Sequence, residues 1–326
     1  MFNAFAREAD RLVPTDILAT AGAAPSILWA DIVRPGAAEA RTASALLGVD
    51  IPTLQEMEEI ELSARLYEED GALFMTVSLV TGAEGDEPRL TPVTFILGRS
   101  SLVTVRHDDA LSFDQLRGRR LRGTGRESAH YLLIDLLDTT VDQVADALER
   151  SSLRCDAISR EVFGAKTGKR PAAGDPSRDL EAMLGAIGRQ GDLLTKLRES
   201  LVGMARLLSY YSARHPDAGR DARTRVRTLQ RDVQALTDHA SFLSSKINFL
   251  LDATLGLINL EQNQIIKIFT VASVAFLPPT LIASIYGMNF ELMPELRWSL
   301  GYPASIGLML VSAALPFLYF RRRGWL

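Results

Sequence analysis

The sequence predicts an α+β membrane protein: an N-terminal α/β domain, then a long stalk helix that continues into the first of two C-terminal transmembrane helices. Three observations predict it. Two long uncharged stretches lie near the C-terminal end, short segments rich in Val, Ile, Thr, Phe and Leu fill the first 125 or so residues, and a helical pattern without proline joins the two regions.

At the N-terminus, MFNAFAREADRLVPTD mixes charges among its apolar residues, unlike the long apolar core of a signal peptide. This part is expected to stay in the cytosol. The segments SILWADIVRP, IELSARLYEED, ALFMTVSLVTG, PVTFILG and SLVTVRHD read as strands, bounded by Gly, Pro and Asp. EARTASALLG and TLQEMEE between them read as helical. After Gly125 the character changes, and SAHYLLIDLLDTTVDQVADALERSSLRCDAISREVF carries helical apolar spacing with no proline. GAKTGKRPAAGDPS then interrupts the pattern. Its string from Gly164 to Arg170 has three residues between the glycines and no Ser or Thr after the lysine. It therefore fails the phosphate-loop pattern and reads as a solvated turn.

A second helix is predicted from about Arg178 to Arg214, and HPDAGR turns the chain. From Asp217 to the residue before Pro278 nothing breaks the helical pattern, so one helix of sixty-odd residues, roughly 90 Å long, would run from the cytosol into the membrane. Val226, Leu229, Val233, Leu236, Ala240, Leu243, Ile247 and Leu250 step by three and four, a heptad-like seam for packing against other helices. The predicted divisions are 1–216 for the α/β and helical domain, 217–264 for the stalk and 265–326 for the membrane part. Within the last, the spans fall at about 267–287 and 300–320, with a loop over 288–299.

The run Ile268–Phe290 and the run Trp298–Phe320 contain no charged residue, and about 20 apolar residues suffice to cross a bilayer as a helix. Lys246 and Lys267 precede the first span and Arg321, Arg322 and Arg323 follow the second, whereas the connecting loop has Glu291, Glu295 and the single cation Arg297. The positive-inside rule therefore puts both termini in the cytoplasm, as expected for a multi-pass protein of the cytoplasmic (inner) membrane. Tyr286, Trp298, Tyr302, Tyr319 and Trp325 stand near the span ends, where amphipathic rings prefer the interface. Two spans enclose nothing. Conduction would require a homo-oligomer, with cyclic symmetry as the expected closure.

Along the first span, Asp252, Asn259, Asn263, Ile266, Ser273, Leu277, Thr280 and Ser284 fall largely on one helix face, with Phe269 or Thr270 between Ile266 and Ser273. Polar and small residues interrupted by bulky apolar ones fit a wetted pore with hydrophobic constrictions. The same pattern also fits ordinary packing between transmembrane helices, and periodicity leaves both open. Pro278-Pro279 is expected to kink or loosen the helix and free backbone carbonyls. Amide and carbonyl oxygens suit a hydrated magnesium ion, which gives up its waters reluctantly.

Composition excludes several classes. The balance of 36 basic to 40 acidic residues argues against nucleic acid as a partner. One cysteine, Cys155, allows no internal disulfide, and the four scattered histidines give no H-x-x-x-H spacing for a zinc hydrolase. No nucleophile–base pair, metal triad or cofactor-binding loop emerges, so an enzyme is not expected.

Tyr286-Gly287-Met288-Asn289, followed by Phe290 to Leu296 (FELMPEL), resembles the GMN signature and MPEL loop of the CorA magnesium and cobalt transporters. The resemblance extends through LINLEQNQIIKIFTVASVAFLPPTLIAS upstream, RRRGWL downstream and IELSARLYEEDG in the strand region. It implies a homopentamer with a cytoplasmic α/β funnel and a pore lined by the first span. Magnesium would be both substrate and regulatory ligand, with cobalt or nickel as further substrates. Gly287, Met288 and Asn289 would form the outer selectivity entrance, with Asn289 meeting the hydrated ion. Asp252, Asn263, Leu277 and Thr280 would face the axis, and Lys267 and the terminal arginines would lie near the inner mouth. The resemblance further implies closure when cytosolic magnesium fills acidic sites between subunits. Glu68, Glu69, Asp70, Asp232 and Asp238 are the candidates. Two alternatives stay open: a zinc transporter of the same architecture, and a membrane-anchored cytoplasmic sensor or scaffold.

Overall fold

A computed structural model describes the chain except residues 9–10, 16–26, 86, 123–127, 165–175, 216–218, 290–293, 295–297 and 326. Seven strands form one sheet: β1 (Phe2–Glu8), β2 (Arg11–Thr15), β3 (Ile27–Val33), β4 (Leu66–Glu69), β5 (Ala72–Thr81), β6 (Arg89–Leu97) and β7 (Leu102–Arg106). Short helices α1 (Ala37–Leu47), α2 (Leu54–Met57), α3 (Leu62–Arg65) and α4 (Leu111–Arg122) lie between or after them. Four longer ones follow: α5 (Ala129–Gly164), α6 (Pro176–Arg214), α7 (Arg220–Tyr286) and α8 (Gly301–Arg322). The chain divides into two compact units, Met1–Leu251 and Asp252–Leu326.

The sheet order is β2-β1-β3-β7-β6-β5-β4. Every neighbouring pair is antiparallel except β3–β7, which is parallel. Alternation sends Ala30, Ile32, Phe74, Ile96, Val103 and Val105 into one core with Ala43 of α1 and Met57 of α2. On the other face, Phe95 stacks on Phe113 of α4 with ring centres 6.3 Å apart. There Gly203 lets α6 approach β5 so closely that a Cβ would stand 2.6 Å from Val77 Cγ2. Asp70 and Gly71, with φ of 50° and 77°, make the two-residue turn between β4 and β5. Two positive φ values in a row are what a type I′ hairpin turn requires, and Asp-Gly supplies them at low strain.

The N-terminal stretch, for which the sequence predicts no element, is strand-forming: β1 sits between β2 and β3, paired Ala4 to Thr15 on one side and Ala4 to Ala30 on the other. One expectation is corrected: in IELSARLYEED only Leu66–Glu69 is a strand, and Leu62–Arg65 forms one helical turn. That turn reads Leu-Ser-Ala-Arg, without the β-branched residues that favour a pleated strand. GAKTGKRPAAGDPS lies mostly outside the described residues.

A buried charge pair locks the parallel β3–β7 contact. Asp31 and Arg106 are 2% and 3% exposed. Arg106 Nε and Nη2 donate to the two carboxylate oxygens of Asp31 at 3.1 and 3.0 Å, and Nη1 donates to the Asp108 carbonyl at 2.9 Å. Thr104 adds its hydroxyl to Asp31 at 2.9 Å and accepts the Trp29 indole N–H at 3.1 Å. The guanidinium lies 4.8 Å from the centre of the Phe113 ring. Every charged atom therefore has a partner, the condition under which a buried pair is tolerated.

The seam residues on α7 pack as expected: Val226, Leu229, Val233, Ala240, Leu243, Ile247 and Leu250 are all buried, and Leu236 is half-buried. Arg225 joins α7 to α5 through Asp135 at 2.6 Å, and Phe249 stacks on Phe163 of α5 with ring centres 6.0 Å apart. Lys246 pairs with Asp156, and that contact holds the Asp156 carboxyl below its usual range.

Removing one member of the buried pair strands the other. Asp31→Ala should destabilise the fold by about 3–5 kcal/mol, while Asp31→Leu combined with Arg106→Met should recover most of the loss. Thermal unfolding of the purified variants checks both outcomes.

Candidate functional site

α7 ends at Tyr286, and the chain turns there through local bonds. The Gly287 amide donates to the Ala283 carbonyl at 2.9 Å and the Met288 amide to that of Ile285 at 3.3 Å. A Cβ on residue 287 would meet the Ala283 carbonyl oxygen at 3.1 Å, so glycine gives this tight ending its room. Gly287, Met288 and Asn289 are all exposed at the helix end.

At about 100° per residue, Asp252, Asn259, Asn263, Ile266, Phe269, Ser273, Leu277, Thr280 and Ser284 lie within an arc of about 120° on α7. All nine are exposed on the single chain. Of the two residues open between Ile266 and Ser273, Phe269 is 69% exposed, while Thr270 is half-buried and donates its hydroxyl to the Ile266 carbonyl at 2.7 Å. Thr280 likewise donates to Phe276 at 2.8 Å, which leaves its oxygen lone pairs for water or an ion's hydration shell.

Pro278 and Pro279 lie inside α7, and the helix continues past them to Tyr286. Proline has no N–H, so the carbonyls of Val274 and Ala275 receive no helical amide four residues on. The expected loosening is thus a local loss of two donors rather than an end to the helix.

The rest of the C-terminal unit is unusual for a soluble protein. Among the described residues two helices, α7 and α8, are long and apolar enough to cross a membrane, and only 6% of each apolar window is buried. Phe276, Leu277, Leu281, Leu308, Leu310 and Leu315 are each more than half exposed. An apolar surface of this extent on one chain marks contact with lipid or with other chains. Trp298, Tyr302 and Tyr319 are exposed at the ends of this surface, and Lys267 Nζ stands 5.9 Å from the ring centre of Trp325.

The five acidic candidates fare differently. Glu68 already pairs with Arg214 at 2.6 Å, Asp70 serves the hairpin turn, and Asp238 accepts from Gln234 at 3.0 Å. Glu69 is exposed at the end of β4. Asp232 faces α5, where sequence reasoning missed a row of carboxylates, Asp138, Asp142 and Asp146, legible as an i, i+4 repeat. Burial pushes the Asp142 carboxyl above its usual range, and the charges of Asp138, Asp146 and Asp232 add to that while Arg119 opposes it. Among the described residues, no three His, Cys, Asp or Glu side chains of one chain converge to hold a metal ion.

Residues 25–322 match the family described as CorA-like Mg2+ transporter protein. The magnesium transport protein CorA of Yersinia pseudotuberculosis serotype I is 37% identical over 304 residues, covering 92% of each chain. That of Mannheimia succiniciproducens is 36% identical over 329 residues, covering all of both chains. The complete structure of the CorA magnesium transporter from Methanocaldococcus jannaschii superposes with a TM-score of 0.77 at 21% identity, over 100% of this chain and 99% of that one. An α/β domain, a long helix, two apolar C-terminal helices and full-length similarity agree, and this chain belongs to the CorA-like Mg2+ transporter family, a family of transporters rather than enzymes.

Proposed function

We propose that this chain forms a homopentameric pore that carries magnesium across the cytoplasmic membrane, with cobalt and nickel as further substrates. The observation that carries the reading is the exposed stripe on α7, polar and apolar by turns, that leads to Gly287-Met288-Asn289. In a ring of copies the stripe would face the axis. Asn289 amide oxygens would accept hydrogen bonds from the water shell of the ion, and Asn263, Ser273, Thr280 and Ser284 would pass it onward. Ile266, Phe269 and Leu277 would narrow the path and gate it by dewetting.

The driving force is sufficient without a nucleotide. A divalent cation entering at 100 mV, inside negative, gains about 4.6 kcal/mol, twice the single-charge value. The charge bias of Lys246, Lys267 and Arg321–Arg323 supports cytoplasmic termini. The working divisions are a domain over 1–216, a stalk over 217–264 and a membrane part over 265–326.

Regulation follows the same chemistry. Cytosolic magnesium would bridge carboxylates on neighbouring subunits and hold a closed ring. Of the five acidic candidates, Asp232 is best placed, because it adds like charge to a surface already crowded by Asp138, Asp142 and Asp146. A second subunit would have to complete the coordination.

Magnesium influx into proteoliposomes tests the reading. The native chain should take up magnesium, hexammine cobalt should block it, and Asn289→Ala should slow it by about tenfold or more, about 1.4 kcal/mol on the barrier. Uptake of zinc alone, or none from folded oligomers, would favour a zinc carrier or a membrane anchor.

The acidic surface makes a second prediction. Asp142 has a raised folded-state pKa, so its contribution to stability is present below the unfolded value and is lost as pH rises through the folded value. Asp142→Asn should therefore stabilise the chain at pH 7 and have little effect at pH 3. Added magnesium should narrow the pH 7 difference. Melting curves at the two pH values check it.

A further inference from the structure

His130 is the second residue of α5 and His215 follows directly on α6. Although 85 positions apart in sequence, the two imidazoles stand with ring centres 4.7 Å apart at an interplanar angle of 86°. Tyr211, one turn before His215 and 2% exposed, completes the group. Its hydroxyl lies 3.0 Å from His130 Nδ1, and its ring centre is 5.3 Å from that of His215. His215 Nε2 is buried and makes no hydrogen bond among the described residues. An unpaired buried ring nitrogen is a cost that a packing role alone leaves unexplained.

The spacing is that of a shared ligand. A metal sits about 2.0–2.1 Å from an imidazole nitrogen, hence about 3.2 Å from the ring centre. Two rings at a ligand–metal–ligand angle between about 90° and 109° then have centres about 4.5–5.2 Å apart. The observed 4.7 Å falls inside that interval.

We propose that His130 and His215 form a binding site for an imidazole-preferring divalent transition metal, cobalt, nickel or zinc, separate from the ion pathway on α7. His130 ligates through Nε2, with its Nδ1–H donating to Tyr211 Oη, and His215 ligates through the unpartnered Nε2. Water fills the remaining positions. His130 keeps its bond to Tyr211, and rotation of the His215 imidazole about its Cβ–Cγ bond turns the unpartnered Nε2 toward the shared ion. Tyr211 is a positioning residue: by engaging Nδ1 it fixes which nitrogen of His130 is free. Magnesium is excluded by ligand type, since it takes oxygen donors and holds its waters. Burial lowers the pKa of both rings, the neighbouring His215 lowers that of His130 further, and Glu68 partly opposes the shift at His215. Glu68 is itself paired with Arg214, whose guanidinium also lies 5.3 Å from the Tyr210 ring centre. A bound ion would fasten the start of α5 to the end of α6.

Nickel chloride titrated calorimetrically into the full-length chain, in saturating magnesium chloride, tests the site. The expected result is one magnesium-insensitive nickel site per chain, weakened at least about tenfold in His130→Gln and in His215→Gln, and by roughly tenfold in Tyr211→Phe. Asn289→Ala should leave it intact. A second measurement needs no variant: X-ray absorption at the nickel edge of the loaded native chain should show two imidazole nitrogens among the ligands. Nickel binding unchanged by both histidine substitutions, an adventitious surface ion only, or a nickel shell without imidazole would overturn the proposal.

Discussion

Hydrocarbon offers no hydrogen-bond partner to a backbone amide or carbonyl, and that constraint shapes everything at the C-terminal end of this chain. Only a helix satisfies its own backbone in such a solvent, so the two uncharged runs must be α7 and α8. A helix pair has no interior, and here almost none of the apolar windows is buried within one chain. Whatever the exposed stripe of Asn, Ser, Thr and Asp does, it does against something outside the single chain. A polar stripe facing lipid would be costly. Facing the axis of a ring, it becomes a wet path.

The same helix also belongs to the soluble unit. There its heptad seam is buried, and Arg225, Lys246 and Phe249 tie it to α5 by charge and stacking. The sheet depends on a different device. Its one parallel contact carries a buried Asp31–Arg106 pair with every charged atom satisfied, and that network fixes β3 against β7. Charge is thus treated in opposite ways within one unit. It is neutralised in the sheet, and it is left crowded along α5 beside Asp232.

Much of this architecture was legible because its causes are local. Uncharged length marks the spans, steps of three and four mark the seam, and β-branched runs mark β3, β5, β6 and β7. β1 was not legible, because Phe2–Glu8 is charged and its pairing partners lie elsewhere in the chain. The helical turn at Leu62–Arg65 hid inside a strand-like run. The Asp31–Arg106 pair joins residues 75 positions apart, and no spacing rule finds such a contact. For the candidate site, the sequence supplied the residues of the α7 stripe and the Gly-Met-Asn end, but not their exposure. It offered five acidic candidates with equal weight. Partners seen only in three dimensions, Arg214 on Glu68 and the hairpin turn at Asp70, give two of them other employment. The nearness of His130 to His215 was equally invisible, since both read as isolated histidines.

The central claim is that the exposed stripe of α7 faces water inside a ring of copies. Single cysteines placed along α7 test it most directly, using a membrane-impermeant thiol reagent on the reconstituted protein. Background labelling is low, because the native Cys155 is fully buried and burial raises its thiol pKa. Cysteines at Asn263, Ser273, Thr280 and Ser284 should react, and their modification should block magnesium influx. Those at Ala275 and Ile282, on the opposite side of α7, should stay unreactive. Equal labelling around the whole helix, or reaction at Ala275 and Ile282 while the stripe stays protected, would contradict the account.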